Sequence, residues 1–191
     1  MAEANEIDFP ATRRRVPGGG AALADAPFHT TIPSPVGALT VYATDTHVTA
    51  VIFGEPAADN STVPPVLRRA AAQLDEYFAG KRRHFSVPVA MPGINPESFT
   101  ARARTHLLDI PFGDTWTYGD LAAACGSPGA ARAAGSACAM NPVPIIVPCH
   151  RIVPASGGIG NYSGGQGDGR KIKRWLLEHE RLNRESSIPV Q

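Results

Sequence analysis

No stretch of this chain reaches the roughly 18 consecutive apolar residues that a membrane-spanning helix needs, and residues 1–27 lack the apolar core of a secretory signal. Membrane and exported classes are therefore not expected. No sign of charge dominates either: 18 Lys and Arg stand against 17 Asp and Glu, a net +1, so a polyanion is held by a local patch and not by a global field. Cysteine is scarce and odd in number. Cys125, Cys138 and Cys149 lack the paired spacing of a zinc site or a disulfide framework. That points to a reducing, intracellular location, cytoplasmic or, in a eukaryote, nuclear. There is no internal repeat. With 43% hydrophobic residues in 191, the chain buries a core as one medium domain or two small ones.

Residues 1–27 combine an acidic start, Arg13, Arg14 and Arg15, and Gly18, Gly19 and Gly20 without hydrophobic periodicity, and read as a flexible tail; 184–191 read as a second. From Phe28 the pattern changes. Residues 38–44 and 48–53 alternate around Asp45, Thr46 and His47 as a hairpin, and 85–89 form another β run. Between them, 66–81 carry Leu67, Ala71, Leu74 and Phe78 at helical spacing behind Pro64 and Pro65. This predicts a small α/β domain over 28–92, in which nothing looks catalytic.

Residues 93–183 read as mainly helical, with helices over 97–108, 118–125, 130–140 and 171–182. The second and third flank the turn from Gly126 to Gly129 and suit a helix-turn-helix. The third is unusually slim: Ala130, Ala131, Ala133, Ala134, Gly135, Ser136 and Ala137 surround a single Arg132. Such a helix either packs closely on another helix or lies in a DNA groove, with Arg132 near the end that touches nucleic acid.

The chemistry concentrates at Pro148, Cys149, His150 and Arg151, after the apolar run 143–147, which reads as a buried strand, and before a glycine-rich segment over 157–169. A soft nucleophile, a base and a cation stand together. Consecutive side chains on a strand point to opposite faces, so His150 reaches Cys149 only if the chain bends at Pro148 or a water intervenes. In that case it lowers the thiol from its ordinary value of about 8.5. The alternative is a buried, inert cysteine.

Several blocks decide between these. Ile110-Pro-Phe-Gly-Asp-Thr115, Tyr118-Gly-Asp-Leu-Ala122, Ala130-Ala-Arg-Ala133, Asn141-Pro142, Ile145-Ile-Val-Pro-Cys-His-Arg-Ile152, Gly160-Asn-Tyr-Ser-Gly-Gly165 and Trp175-Leu-Leu-Glu-His-Glu180 occur in the order and near-spacing of the O6-alkylguanine-DNA alkyltransferases. The chain resembles that family over about 28–182. The resemblance implies a small ribonuclease-H-like sheet with a helix, followed by a mainly helical, winged-helix-like domain with a helix-turn-helix. It implies a DNA-repair protein that acts as a monomer on double-stranded DNA. Cys149 would take the alkyl group from O6-alkylguanine, and as the family pattern also admits from O4-alkylthymine, in one irreversible turnover without metal or nucleotide cofactor.

Residue by residue, the resemblance makes His150 the base acting through water and Glu180 the carboxylate that orients it. It makes Asn141 the hinge beneath the Cys149 strand, and Tyr118 the hydroxyl that donates to the flipped guanine. Arg132 resembles the side chain that enters the vacated base stack. Thr117, Ala131, Ala133, Gly135 and Arg151 fall on the DNA-facing surface. Asn161, Tyr162, Ser163, Gly164, Ile152 and Lys173 fall around the base pocket, the spacing to Trp175 favouring Lys173 over Lys171. Two departures stand out: Arg104 occupies a position where many relatives have tryptophan, and the segment between Gly165 and Trp175 is longer.

Three other readings compete. A non-enzymatic lesion-binding protein of the alkyltransferase-like kind usually replaces the cysteine, which Cys149 argues against. A cysteine hydrolase would turn over repeatedly. A transcription regulator would need base-reading side chains that the slim third helix lacks.

Overall fold

The computed structural model describes residues 26–54, 63–91, 94–162 and 169–184. Its elements run β1 Phe28–Ile32, β2 Leu39–Ala43, β3 Val48–Phe53, α1 Pro65–Phe78, α2 Phe99–Leu107, β4 Trp116–Thr117, α3 Tyr118–Ala124, α4 Ala131–Ala139, a 3₁₀ turn Cys149–Arg151, β5 Ile152–Val153 and α5 Gly169–Asn183.

Strands β1, β2 and β3 form an antiparallel meander, with Phe28 opposite Ala43 and Leu39 opposite Phe53. Helix α1 covers it. Pro65 opens the helix where its missing N–H costs nothing, and Leu67, Ala70, Leu74 and Tyr77 recur every three or four residues to form a fully buried face. The hairpin and the helix follow the sequence pattern. β1 is a strand that alternation did not single out, and four of its five residues are only half-buried. The β run expected over 85–89 shrinks to one parallel bridge between Val48 and Val89. Pro88 stands inside it and has no N–H to extend a ladder.

In the second half, Ser98 caps α2 by accepting from the Ala101 N–H at 3.1 Å. Thr117 and Asp120 open α3 with a reciprocal capping box. Helices α3 and α4 pack as the expected helix-turn-helix, and β4 pairs with β5 in parallel, Trp116 opposite Ile152. The strand expected over 143–147 is absent. Asn141 replaces its ladder: Oδ1 accepts from the Val143 N–H at 3.1 Å, and Nδ2 donates to the Val147 carbonyl at 2.8 Å. Ile145 is held at φ 73°, a conformation rare for a β-branched residue and worth about 1–3 kcal/mol of strain, in a wholly buried setting.

One hydrophobic core runs through both halves. The Val51 N–H donates to the Pro142 carbonyl at 2.8 Å, the Phe53 and Tyr162 rings meet edge to face at 6.2 Å, and His179 bonds the Tyr77 carbonyl at 2.7 Å. Of the expected N-terminal tail, Ala26 and Pro27 are described and Ala26 is buried; the rest lies outside the described residues. So does the C-terminal tail beyond Arg184, which pairs with Asp114 at 2.7 Å. No helix among the described residues is long and apolar enough to cross a membrane.

Helix α5 starts where glycine alone fits: a Cβ on the buried Gly169 would overlap the Tyr162 carbonyl oxygen. Gly169→Ala should therefore destabilise the fold by roughly 1–3 kcal/mol in urea unfolding, as overpacking does. An unchanged midpoint would contradict that close approach.

Candidate active site

Every residue from Asn141 to Arg151 is buried. Because Cys149–Arg151 is a 3₁₀ turn and not a strand, the three side chains do not alternate between two faces, and the geometric objection to the Cys-His pair disappears. Asn141 Nδ2 donates to Cys149 Sγ at 3.1 Å as well as to the Val147 carbonyl. Burial pushes the Cys149 thiol up, against the Asn141 hydrogen bond and the positive charges of Lys173 and Arg104. The resting thiol is thus not the low-pKa group that the sequence suggested, because a desolvated sulfur holds its proton.

The neighbouring carboxylate is the best-satisfied polar group of the site. Glu180 Oε1 takes hydrogen bonds from Tyr77 Oη at 2.9 Å, His150 Nε2 at 2.8 Å and Arg151 Nη2 at 3.0 Å. Oε2 accepts from Arg151 Nε at 2.8 Å and the Gly113 N–H at 3.0 Å. Gly113 has φ 80°, the left-handed conformation that aims its N–H inward and that glycine adopts without cost. Burial alone would raise the Glu180 carboxyl, but His150 and Arg151 outweigh it and hold it well below the usual carboxylate range. For His150 burial prevails over the Glu180 attraction and lowers its pKa, with Arg151 and Lys173 adding to the effect. A neutral imidazole facing a carboxylate puts its proton on Nε2. Nδ1 is then a buried lone pair with no hydrogen-bond partner among the described residues.

Arg151 corrects an expectation. It does not face DNA: it is buried in the Glu180 pair, donates Nη1 to the Ile110 carbonyl at 2.7 Å and lies over the Phe112 ring at 5.8 Å. Tyr77 was missed, because a helical tyrosine in a domain with no reactive motif reads as core packing. Its only sequence signal is a hydroxyl on the apolar face of α1, and a buried tyrosine needs a partner.

A cavity of about 420 Å³ opens beside Cys149, lined by Tyr118, Arg132, Gly135, Cys138, Asn161 and Tyr162 among others. Arg132 and Ala133 are exposed on α4, Ala131 is half-buried and Gly135 faces the Tyr118 ring. Thr117 spends its hydroxyl on the α3 cap. Lys173 Nζ, fully buried, donates to the Ile152 carbonyl at 2.5 Å and reaches the Asn161 carbonyl at 3.5 Å, so it braces the wall of the cavity. Ser163 and Gly164 lie outside the described residues. Among the described residues no group of His, Cys, Asp and Glu has the arrangement of a metal site.

Two family models match this chain: 6-O-methylguanine DNA methyltransferase, ribonuclease-like domain, over residues 28–91, and 6-O-methylguanine DNA methyltransferase, DNA binding domain, over 98–182. A methylated-DNA–protein-cysteine methyltransferase of Mycobacterium tuberculosis is 40% identical over 156 residues, covering 79% of this chain and 90% of the relative. The chain belongs to the methylated-DNA–protein-cysteine methyltransferase family. A mouse methyltransferase of the same name is also 40% identical, over 72% of this chain, which spans 64% of the mouse protein. The fold agrees. The crystal structure of the M. tuberculosis O6-methylguanine methyltransferase is similar at a TM-score of 0.72 and 38% identity, covering 84% of this chain and 96% of that one. M. tuberculosis OGT in complex with DNA is similar at 0.71 and 39%, covering 82% and 94%. The methyltransferase fold is thus a ribonuclease-like sheet with its helix, joined to a helical DNA-binding half.

Glu180→Gln would leave Arg151 as an uncompensated buried cation and should cost about 3–5 kcal/mol in urea unfolding at neutral pH. Tyr77→Phe, which removes one of five donors, should cost about 1 kcal/mol. Stability should also fall on acidification. Folded His150 and His179 both have lowered pKa values, chiefly through burial, so below about 6.5 the unfolded chain binds protons that the folded one refuses. Glu180 adds a second decline, of the same sign, below about 4.3. A stability profile flat from neutral to about pH 5 would contradict the buried neutral imidazoles.

Proposed function

We propose that the protein repairs alkylated DNA by moving the alkyl group from O6 of guanine to Cys149 Sγ, once per molecule. The observation that carries this is a thiol on the wall of a base-sized cavity, held by Asn141, directly followed by a neutral histidine whose far nitrogen is anchored on Glu180. A base inside a duplex does not reach a buried sulfur, so the nucleotide rotates out at a cost of a few kcal/mol, and Arg132 at the rim fills its place in the stack. The small residues Ala131, Ala133 and Gly135 let α4 lie close to the minor groove. Thr117, at the cap of α3, approaches the backbone through its main chain.

In the cavity, Sγ attacks the alkyl carbon in line with the bond to O6. The C–S bond forms as the C–O bond breaks, and the electron pair moves into the purine, where the Tyr118 hydroxyl donates to the departing base. The thiol proton passes through one water to His150 Nδ1, and Glu180 stabilises the imidazolium that results. Because burial keeps both the thiol and the imidazole neutral at rest, charge separation is uphill until the C–S bond draws it through. Nothing in the site hydrolyses the thioether. Asn161 and Tyr162 form the guanine-side wall, braced by Lys173 through the Ile152 and Asn161 carbonyls. Residues 28–92 then act as the unit that braces Glu180 through Tyr77, and 93–183 as the unit that carries DNA and the acceptor. The protein acts as a monomer, and three free cysteines suit a reducing compartment, cytoplasmic or nuclear.

Intact-mass analysis after incubation with a duplex containing O6-methylguanine should show one added methyl group, lost in Cys149→Ser with lesion binding retained. Unmodified wild-type protein under tight-binding conditions would instead favour a lesion-binding protein without transfer. Arg132→Ala should slow transfer from duplex roughly 10- to 100-fold, a part of the flipping cost, at unchanged iodoacetamide reactivity of Cys149. Normal transfer by that variant would remove the stack-filling role.

A further inference from the structure

A guanidinium set into a core requires an explanation, and Arg104 on α2 is only 5% exposed. Its Nη2 donates to the Met140 carbonyl, its Nη1 to Met91 Sδ at 3.4 Å, and its Nε has no hydrogen-bond partner among the described residues. No carboxylate pairs with it there either, so its charge is uncompensated. Met140 closes α4 and immediately precedes Asn141, the side chain that holds Cys149 Sγ. The cation therefore grips the backbone one residue away from the group that grips the sulfur. The groups its charge acts on are thiols, Cys149 first and Cys138 second.

We propose that Arg104 is a positioning residue for alkyl transfer: it fixes the Met140–Asn141 hinge beneath Cys149, and its unpaired positive charge favours the thiolate that the reaction forms. The proposal rests on Cys149 being the acceptor. The other titratable groups around the sulfur are Lys173 from α5, Cys138 from α4, Tyr118 from α3, Tyr162 from the segment after β5, and the adjoining His150. Lys173 is the second cation, but it is bonded to two carbonyls of the cavity wall. Arg104 is the one anchored to the hinge.

The test compares wild type with Arg104→Met, Arg104→Gln and Arg104→Lys. Two rates are followed from about pH 6 to about pH 10: iodoacetamide alkylation of Cys149, read by peptide mapping, and single-turnover methyl transfer from a duplex containing O6-methylguanine. Arg104→Met should move both profiles up by about one pH unit, a roughly tenfold loss near neutrality that narrows toward the alkaline end as the thiol begins to ionise. Arg104→Lys should return most of the loss. Arg104→Gln keeps a donor for the Met140 carbonyl without the charge, so it should shift like Arg104→Met; this also decides the question if Arg104→Met fails to unfold cooperatively in urea. Profiles that superimpose on wild type, or a loss equal at every pH that lysine does not restore, would overturn the proposal. Wild-type protein that takes iodoacetamide but no methyl from DNA would overturn the acceptor reading instead, leaving the iodoacetamide comparison to judge Arg104 as a charge acting on the thiol.

Discussion

The carboxylate of Glu180 is the constraint on which the rest of this structure depends. Five donors from three parts of the chain converge on it: Tyr77 from α1, Gly113 from the turn before β4, and His150 and Arg151 from the 3₁₀ turn. A buried carboxylate with this many partners is tolerable only because each lone pair is used and Arg151 supplies the countercharge. The same bonds set the distance between the sheet half and the helical half, orient the imidazole and hold the turn that presents Cys149. Fold and site are therefore one arrangement, and a change at Tyr77 in α1 reaches the histidine through a single shared oxygen.

That arrangement accounts for a thiol that is reserved at rest. Desolvation holds the proton on Cys149 and keeps His150 uncharged, so neither group is a strong reagent until a lesion occupies the cavity. A single-use acceptor benefits, because a permanently ionised sulfur would be consumed by any small electrophile or oxidant. Asn141 and, as proposed, Arg104 and Lys173 moderate this reserve by favouring negative charge on sulfur.

The hairpin, α1 and the helix-turn-helix were legible because binary patterning, proline at a helix start and glycine in a short turn are local signals. Cys149, His150, Glu180 and Asn141 were legible through the order of their motifs, and the structure brings all four together. The strand assigned to 143–147 was not, since an apolar run of that length looks alike in a strand and in a turn bridged by a side chain, and the positive φ at Ile145 has no sequence signature. Arg151 was placed on the DNA-facing surface because an arginine beside a nucleophile gives no local sign of a carboxylate 29 residues away. Tyr77 stayed hidden for the same reason, its partner lying 103 residues on. Long-range pairing of polar groups, not secondary structure, is where the pattern ran out.

The central claim is that burial holds His150 neutral while Glu180 fixes its proton on Nε2 and leaves its Nδ1 lone pair free to accept. Imidazole nitrogen NMR of the resting protein tests it directly. The account predicts that His150 shows a protonated Nε2 and an unprotonated Nδ1 from about pH 6 to about pH 8, without titrating. An imidazolium at neutral pH, or a proton resident on Nδ1, would contradict it.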